Sequence, residues 1–141
     1  MRFMIMVKAS RDTEAGGMPE EALLKSMAKF HEELAAAGAL LDASGLKPSS
    51  EGWRIRYAGE KRSYIDGPFA ETKELVAGYT LIRVKSLQEA IEWTKRFPNP
   101  AGRSGNAEIE VRPLYELEDF GNSPTLNRFH KLESQRHDVS R

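Results

Sequence analysis

The sequence predicts a single α+β domain in which two helices cover one face of a sheet. The chain has 141 residues, which suits one domain and leaves little room for two. Hydrophobic residues make up 40% of it and charged residues 30%, as is typical of a globular protein. Strand-like and helix-like stretches follow in the order strand, helix, strand, hairpin, strand, helix, strand. That order is the split βαβ pattern of a ferredoxin-like domain with an inserted hairpin.

The first strand and the first helix have clear signals. Residues 3–7 are a short apolar run whose bulk suits a strand buried on both faces. The polar, Gly-rich residues 10–18 are predicted to form a loop. Pro19 at the first helical position, followed by two acidic residues, starts a helix, and Gly38 ends it as a left-handed cap. The apolar stripe of this helix consists of Leu23, Met27, Phe30 and Leu34.

The middle of the chain is predicted to form a strand, a turn and a hairpin. Residues 39–46 have strand character, and the cluster KPSSEG at 47–52 is typical of a turn. Residues 53–57 alternate apolar side chains with arginine, which is the period of a half-exposed strand. Gly59 lies in the hairpin loop, and residues 62–66 return as the partner strand.

A strand, a helix and a last strand complete the pattern. Residues 77–84 (AGYTLIRV) are the next strand, and Ser86 with Glu89 predicts a capping box at the start of a helix. Residues 109–113 alternate apolar and charged side chains and end in proline, which places them at a sheet edge. The helix is expected to bury Leu87, Ala90, Ile91, Thr94 and Phe97.

Two helices can cover only one face of the sheet, so the other face needs a separate cover. A second copy of the chain is the simplest cover, and we expect a homodimer of the dimeric α/β-barrel type. The domain is predicted to span residues 1–120. Residues 121–141 differ in composition and form either a flexible tail or a short helix that begins at Ser123 and Pro124. The helix would carry an apolar strip of Leu126, Phe129 and Leu132, and the last residues are expected to be disordered.

Charge and composition exclude several classes of protein. Lys plus Arg and Asp plus Glu number 21 each, so the excess of positive charge that direct nucleic-acid binding requires is missing. The chain has no cysteine, which excludes disulfides, thiolate metal sites and a cysteine nucleophile. The N-terminal residues lack the long apolar segment of a signal peptide, and no stretch is apolar enough to span a membrane. We therefore expect a cytoplasmic protein without a membrane partner.

The stretch DGPFAETKE at residues 66–74 is identical to the motif that names the DGPFAETKE family, a branch of the YCII-related proteins. The neighbouring stretches AAGALLDASGL, GYTLIRV, SLQEAIEWTKRFP and EIEVRPL resemble that family too, so the likeness covers roughly residues 1–116. The resemblance implies a ferredoxin-like fold paired into a dimer whose sheets face each other. Some relatives are thought to be enzymes with a His–Asp pair, and others are associated with alternative sigma factors.

Asp66 and His31 are the candidate catalytic residues. Asp66 ahead of Gly-Pro predicts a turn residue whose side chain bonds downstream amides, with a loss of about 1 kcal/mol if that bond is removed. The alternative is a carboxylate that acts as general base or substrate anchor. His31 borders the apolar stripe of the first helix and is either a hydrogen-bonded boundary residue or an acid–base group. Its position in that helix is similar to the histidine of relatives with the proposed pair.

Other residues have weaker signals. Phe69 is either a core or dimer anchor or a pocket wall, and Tyr64 and Tyr79 either donate a proton or satisfy a buried hydroxyl. The arginines of the hairpin are either a solvated edge or an anion site; they are Arg54, Arg56 and Arg62. Two helical turns separate His130 from His137, too far for one metal ion. With no phosphate loop and no nucleophile elbow, we expect no cofactor and no metal.

Two functions compete on the sequence alone. One is an enzyme that acts on an unknown small molecule in a dimeric pocket with His31 and Asp66 as acid–base groups. The other is a non-enzymatic ligand-binding or interaction protein that acts with a transcription regulator.

Overall fold

The computed structural model describes residues 1–139 of the chain, which have a mixed α+β architecture. The strands are β1 (Arg2–Lys8), β2 (Leu40–Gly45), β3 (Trp53–Ala58), β4 (Lys61–Asp66), β5 (Val76–Arg83) and β6 (Ile109–Pro113). The α-helices are α1 (Arg11–Glu14), α2 (Glu21–Ala36), α3 (Leu87–Lys95) and α4 (Leu126–Val139). None of the helices in the described residues combines the length and apolar character that crossing a membrane requires. The expectation of disorder at the very end falls on residues 140 and 141, which lie outside the described part.

Four strands form one antiparallel sheet in the order β2-β5-β1-β6, and β3 pairs with β4 in a separate two-stranded sheet. The four-stranded order is compatible with the predicted ferredoxin-like pattern, with the β3–β4 hairpin inserted between β2 and β5. The last strand, β6, is an edge strand, as its closing proline predicts. Within residues 1–139 the strands do not close into a barrel.

The core lies between the four-stranded sheet and the helices. Phe3 pairs with Ile82 and Ile5 pairs with Thr80, so these four side chains stand on the same face of β1 and β5. Helix α2 packs its buried stripe against this face, as its spacing predicts, and α3 adds Ala90. The fully buried side chains of greatest volume are Ile5, Leu34 and Ile82.

The ends of the helices differ in detail from the prediction. Helix α2 begins after Glu20, so Pro19 precedes the helix cap instead of occupying the first helical position. Gly38 has φ +73°, which confirms the left-handed position after the helix. Residues 10–18 are not a simple loop, because Ser10 accepts the Thr13 amide (3.1 Å) and starts the four-residue helix α1.

Helix α3 also differs in its cap and in its buried face. Ser86 accepts the amide of Glu89 as predicted (3.1 Å), but the Glu89 carboxylate accepts from Lys85 one residue earlier (2.9 Å). Leu87 and Ile91 are exposed in the single chain. Trp93, which the sequence did not single out, packs its ring edge against Phe30 instead.

The face of the sheet that points away from the helices carries half-buried apolar side chains around the buried Leu81. The strand β1 was predicted to be buried on both faces, but only Phe3 and Ile5 are buried, whereas Met4 and Met6 are half-buried. Met4 pairs with Leu81 and Met6 pairs with Tyr79, so these four side chains form one patch. We call this patch the helix-free face.

The β3–β4 hairpin and α4 are also largely exposed. All six residues of β3 are exposed, so neither of its faces is covered. Helix α4 packs against the 3₁₀ turn Leu117–Phe120. It begins at Leu126, two residues after the predicted start, and it is longer than the predicted short helix. In its predicted strip, Leu126 is half-buried while Phe129 and Leu132 are 51% and 60% exposed.

We expect Leu34→Ala to lower the free energy of unfolding by about 2–5 kcal/mol, because it removes a completely buried side chain and leaves a cavity. The matched control is Leu87→Ala, which truncates a leucine that is 57% exposed and should change stability by no more than about 0.5 kcal/mol. Urea denaturation measures both. Equal losses for the two variants would show that the core is placed wrongly.

Candidate functional site

Residues 66–69 (DGPF) turn the chain away from β4, and we call them the 66–69 corner. The amide of Gly67 donates to the carbonyl of Gly52 (3.0 Å), and the amide of Phe69 donates to the hydroxyl of Ser49 (3.1 Å). A Cβ on Gly67 would lie 1.7 Å from the carbonyl oxygen of Ser49, so the close approach of the two backbones admits only glycine. The corner is therefore packed directly on the segment that precedes β3.

The Ser49 side chain also connects this segment to α1. Its backbone amide donates to one carboxylate oxygen of Glu14 (3.0 Å), and its hydroxyl donates to the other in a short hydrogen bond. The hydroxyl thus donates to Glu14 while it accepts from Phe69. Three segments that are distant in sequence meet at this one hydroxyl.

A cleft of about 300 Å³ lies beside this junction. Ser49 and Phe69 are among its lining residues. Its other apolar walls are Leu46, Trp53, Leu75 and Val76. Its charged lining residues are Glu14, Lys47 and Arg54. Apolar walls with a few convergent polar groups are the ordinary composition of a small-molecule site, and the volume is at the lower end of the usual range.

The Asp66 carboxylate does not make the predicted turn bond. The two nearest downstream amides, those of Gly67 and Phe69, donate to Gly52 and Ser49 instead. Asp66 is exposed, and hydrogen bonding to its carboxylate raises the pKa of the neighbouring Tyr64 hydroxyl. Tyr64 is 61% exposed and stacks on Trp53. The Asp66 carboxylate is thus accessible at the end of β4.

His31 is hydrogen-bonded at both ring nitrogens. Nδ1 lies 2.7 Å from the carbonyl oxygen of Met27, and Nε2 lies 2.8 Å from the hydroxyl of Thr80. A carbonyl can only accept, so Nδ1 carries a proton and donates to Met27, while Nε2 forms its hydrogen bond with the Thr80 hydroxyl. Thr80 is buried, and its hydroxyl is satisfied by this bond. Asp66 is not a partner of either nitrogen.

Tyr79 lies on the helix-free face and has a partner that the sequence analysis missed. Its hydroxyl donates to the carboxylate of Asp42 on β2 (2.9 Å), and this hydrogen bond raises the pKa of Tyr79. The pairing of Ser44 with Tyr79 brings β2 beside β5. Nothing in the sequence near Asp42 indicates this, because the contact depends on which strands are neighbours.

The arginines of the hairpin differ from one another. The Arg54 guanidinium lies over the ring of Phe69, with Cζ 3.8 Å from the ring centroid. The Arg62 guanidinium lies 5.0 Å from the ring centroid of Tyr57. Arg56 is exposed and does not line the cleft. The residues described in the structure contain no group of three or more His, Asp or Glu side chains placed to hold a metal ion.

We expect Ser49→Ala to lower the free energy of unfolding by about 1–3 kcal/mol, because the Phe69 amide and the Glu14 carboxylate lose their partner. Asp66→Asn should change it by no more than about 0.5 kcal/mol, since no backbone amide of the corner depends on this carboxylate. Chemical denaturation of both variants measures the difference. A loss for Asp66→Asn as large as that for Ser49→Ala would mean that Asp66 holds the corner after all.

Comparison with known proteins assigns the chain to a family. The model of the YCII-related domain matches residues 1–117, which include every residue that lines the cleft. An uncharacterized protein of Rhizobium meliloti (strain 1021) is 29% identical over 97 residues, which cover 69% of this chain and 78% of that protein. The resemblance stated from the sequence is thereby confirmed at the level of the YCII-related proteins. The chain belongs to the YCII-related domain family.

Proposed function

We propose that the protein is a homodimer of the DGPFAETKE branch that binds a small organic molecule in the cleft beside the 66–69 corner. The observation that carries this proposal is the composition of the cleft, in which apolar walls meet two cationic side chains next to an anchored turn. The identity of residues 66–74 to the naming motif of the branch supports its assignment. The corner is built into the cleft wall through Phe69.

The helix-free face supports the dimer. Met4, Met6 and Tyr79 are half-buried there, and they surround Leu81 on the central strands of the sheet. A contiguous apolar patch on the centre of a sheet is a typical interface between protein chains. A second copy related by a two-fold axis would present the same patch to this one, as in the commonest homodimers.

The hairpin supports a partner as well. Trp53, Ile55 and Tyr57 alternate on one face of β3 and are all exposed in the single chain. A two-stranded hairpin without a cover is marginally stable in water. A second chain that packs on this aromatic face would stabilise the hairpin and, through Trp53 and Arg54, one wall of the cleft.

Binding is favoured over acid–base catalysis by the state of His31. Both of its nitrogens are engaged within the chain, so a catalytic role would require the bond to Met27 or to Thr80 to break. An enzyme that uses His31 and Asp66 as acid–base groups is a second version of the proposal, in which one of these two bonds opens when substrate binds. It predicts that a bound ligand is converted and that His31→Gln abolishes conversion while binding persists.

A second candidate is an interaction protein, in line with the transcription-regulator association that the family resemblance implies. The exposed aromatic face of the hairpin favours it. The two candidates differ in what covers this face, since the first requires a second copy and the second requires a different protein. A strictly monomeric chain in solution favours the second.

We expect light scattering at micromolar concentration to give about twice the chain mass of 15.9 kDa. Met4→Lys should raise the dimer dissociation constant about tenfold or more, because it places an ammonium in the apolar patch opposite Arg112 instead of a carboxylate. Met18→Lys is the control, since Met18 is 85% exposed in the loop before α2. A monomeric wild-type chain would refute the dimer.

The same assay tests the role of the tail. We propose that Phe129 and Leu132 pack on the partner, because an isolated helix of this length is marginal in water and these two of the three residues in its strip are exposed. Truncation after Phe120 should then raise the dimer dissociation constant. An unchanged constant and an unchanged melting temperature would show that the tail takes no part.

We expect a screen of small organic molecules to identify ligands that raise the melting temperature, because a ligand that binds only the folded state stabilises it. Leu46→Trp should abolish the shift by filling the cleft, since Leu46 is a half-exposed lining residue. The control Leu41→Trp makes the same change at a similarly exposed leucine on β2 that does not line the cleft. Shifts that both variants retain would place binding elsewhere.

A further inference from the structure

Arg54 is positioned to serve as an anchor for an anion. It lies on β3 opposite Ile65, close to the end of the hairpin from which the 66–69 corner departs. Its guanidinium rests on the Phe69 ring at 3.8 Å, and Phe69 is in turn held by Ser49. This contact uses the face of the guanidinium and leaves its N–H groups, which point outward in the guanidinium plane, to hydrogen-bond a ligand.

Among the side chains that the structure describes, no carboxylate forms an ion pair with Arg54. Ion pairs elsewhere in the chain join Arg2 to Glu116, Lys8 to Glu110, Lys47 to Glu51 and Arg96 to Glu33. Arg54 is in none of them, and its interaction is the ring contact with Phe69. An arginine fixed on an aromatic ring loses less conformational freedom on binding than a mobile lysine, and its planar fork matches a carboxylate.

The other charges of the cleft restrict the anion. Lys47 adds a second positive charge, and its pairing with Glu51 is long (3.8 Å) and highly exposed, so that pair is weak. Glu14 adds a negative charge whose two oxygens already accept from Ser49. The two cations and the one carboxylate give the cleft a net charge of +1, which a single monoanion neutralises, and the cleft offers one arginine fork. These charges favour a monoanion.

The apolar lining residues indicate the chemistry of the rest of the ligand. Leu46, Trp53 and Val76 give the cleft an apolar surface that suits an aromatic ring or a short hydrocarbon chain. We propose that the cleft binds a small apolar carboxylic acid in its ionised form, with the Arg54 guanidinium as the anchor of the carboxylate. This inference rests on the proposed ligand-binding function and names its ligand class.

The test compares benzoate with benzamide, its neutral counterpart, by NMR titration of the full-length protein. The wild-type chain should bind benzoate about tenfold or more tightly than benzamide, as expected for a charge-assisted bidentate contact. Arg54→Met should remove this preference, and Arg54→Lys should retain only part of it because the fork is lost. Arg56→Met removes the same charge from the same strand outside the cleft and should leave the preference intact. Unchanged melting temperatures would show that the variants fold.

Three outcomes overturn the inference. Equal binding of benzoate and benzamide would refute the anion anchor while the proposed ligand-binding function stands. A preference for benzoate that survives in Arg54→Met, or that Arg56→Met removes equally, would show that general surface charge attracts the anion. If neither probe binds, the ligand class is wrong, and the proposed function itself fails only if the screen also yields no ligand that Leu46→Trp displaces.

Discussion

The hydroxyl of Ser49 is the contact on which the candidate site depends. It donates to Glu14 at the end of α1 and accepts from the amide of Phe69, so it joins α1, the segment before β3 and the 66–69 corner. Gly67 adds a backbone contact too close for any side chain at that position. Phe69, once placed, supports the guanidinium of Arg54. The turn thus fixes the ring of Phe69, and the ring limits the conformations open to the Arg54 side chain.

This arrangement separates the two roles that the sequence left open for Asp66. If the turn amides donated to the Asp66 carboxylate, the turn would depend on this group, and the carboxylate would not be free to contact a ligand. Here the Gly67 and Phe69 amides find their acceptors in a neighbouring segment, so the Asp66 carboxylate takes no part in holding the corner. It is exposed beside Tyr64, whose pKa it raises. His31 shows the opposite situation, because its bonds to Met27 and Thr80 tie α2 to β5 and use both of its nitrogens. Of the two candidate catalytic residues, Asp66 is exposed, whereas His31 uses both ring nitrogens in hydrogen bonds within the chain.

Periodicity predicted the elements well because it is a local property. The stripe from Leu23 to Leu34 and the alternation in β3 and β6 gave the correct type for each element, and Gly38 marked a real helix end. The sequence missed α1, whose start depends on the hydrogen bonds between Ser10 and Thr13 within a polar, Gly-rich stretch. It named Phe69 and Arg54 as candidates but did not predict the contacts that bring the cleft residues together. Ser49 is 35 residues from Glu14 and 20 from Phe69, and Asp42 is 37 from Tyr79. A serine in a turn cluster has the same local pattern whether or not a distant carboxylate meets it, so these contacts could not be predicted from one sequence.

The cleft and the proposed dimer interface share the β3–β4 hairpin, and this couples them physically. One side of the hairpin carries Arg54 toward Phe69, and alternation along β3 places Ile55 and Tyr57 on the other side. Trp53 begins that aromatic side at the start of β3 and also lines the cleft. An uncovered two-stranded sheet opens at small cost, so in a single chain the position of Arg54 is only as stable as the hairpin. A second chain that covers the aromatic side would reduce that opening and with it the cost of ordering the cleft for a ligand. Coupling of this kind is reciprocal, since a ligand that favours the closed hairpin must favour the dimer by the same free energy. Dimer formation on the aromatic face of the hairpin would therefore raise the affinity of the cleft for an anion held by Arg54.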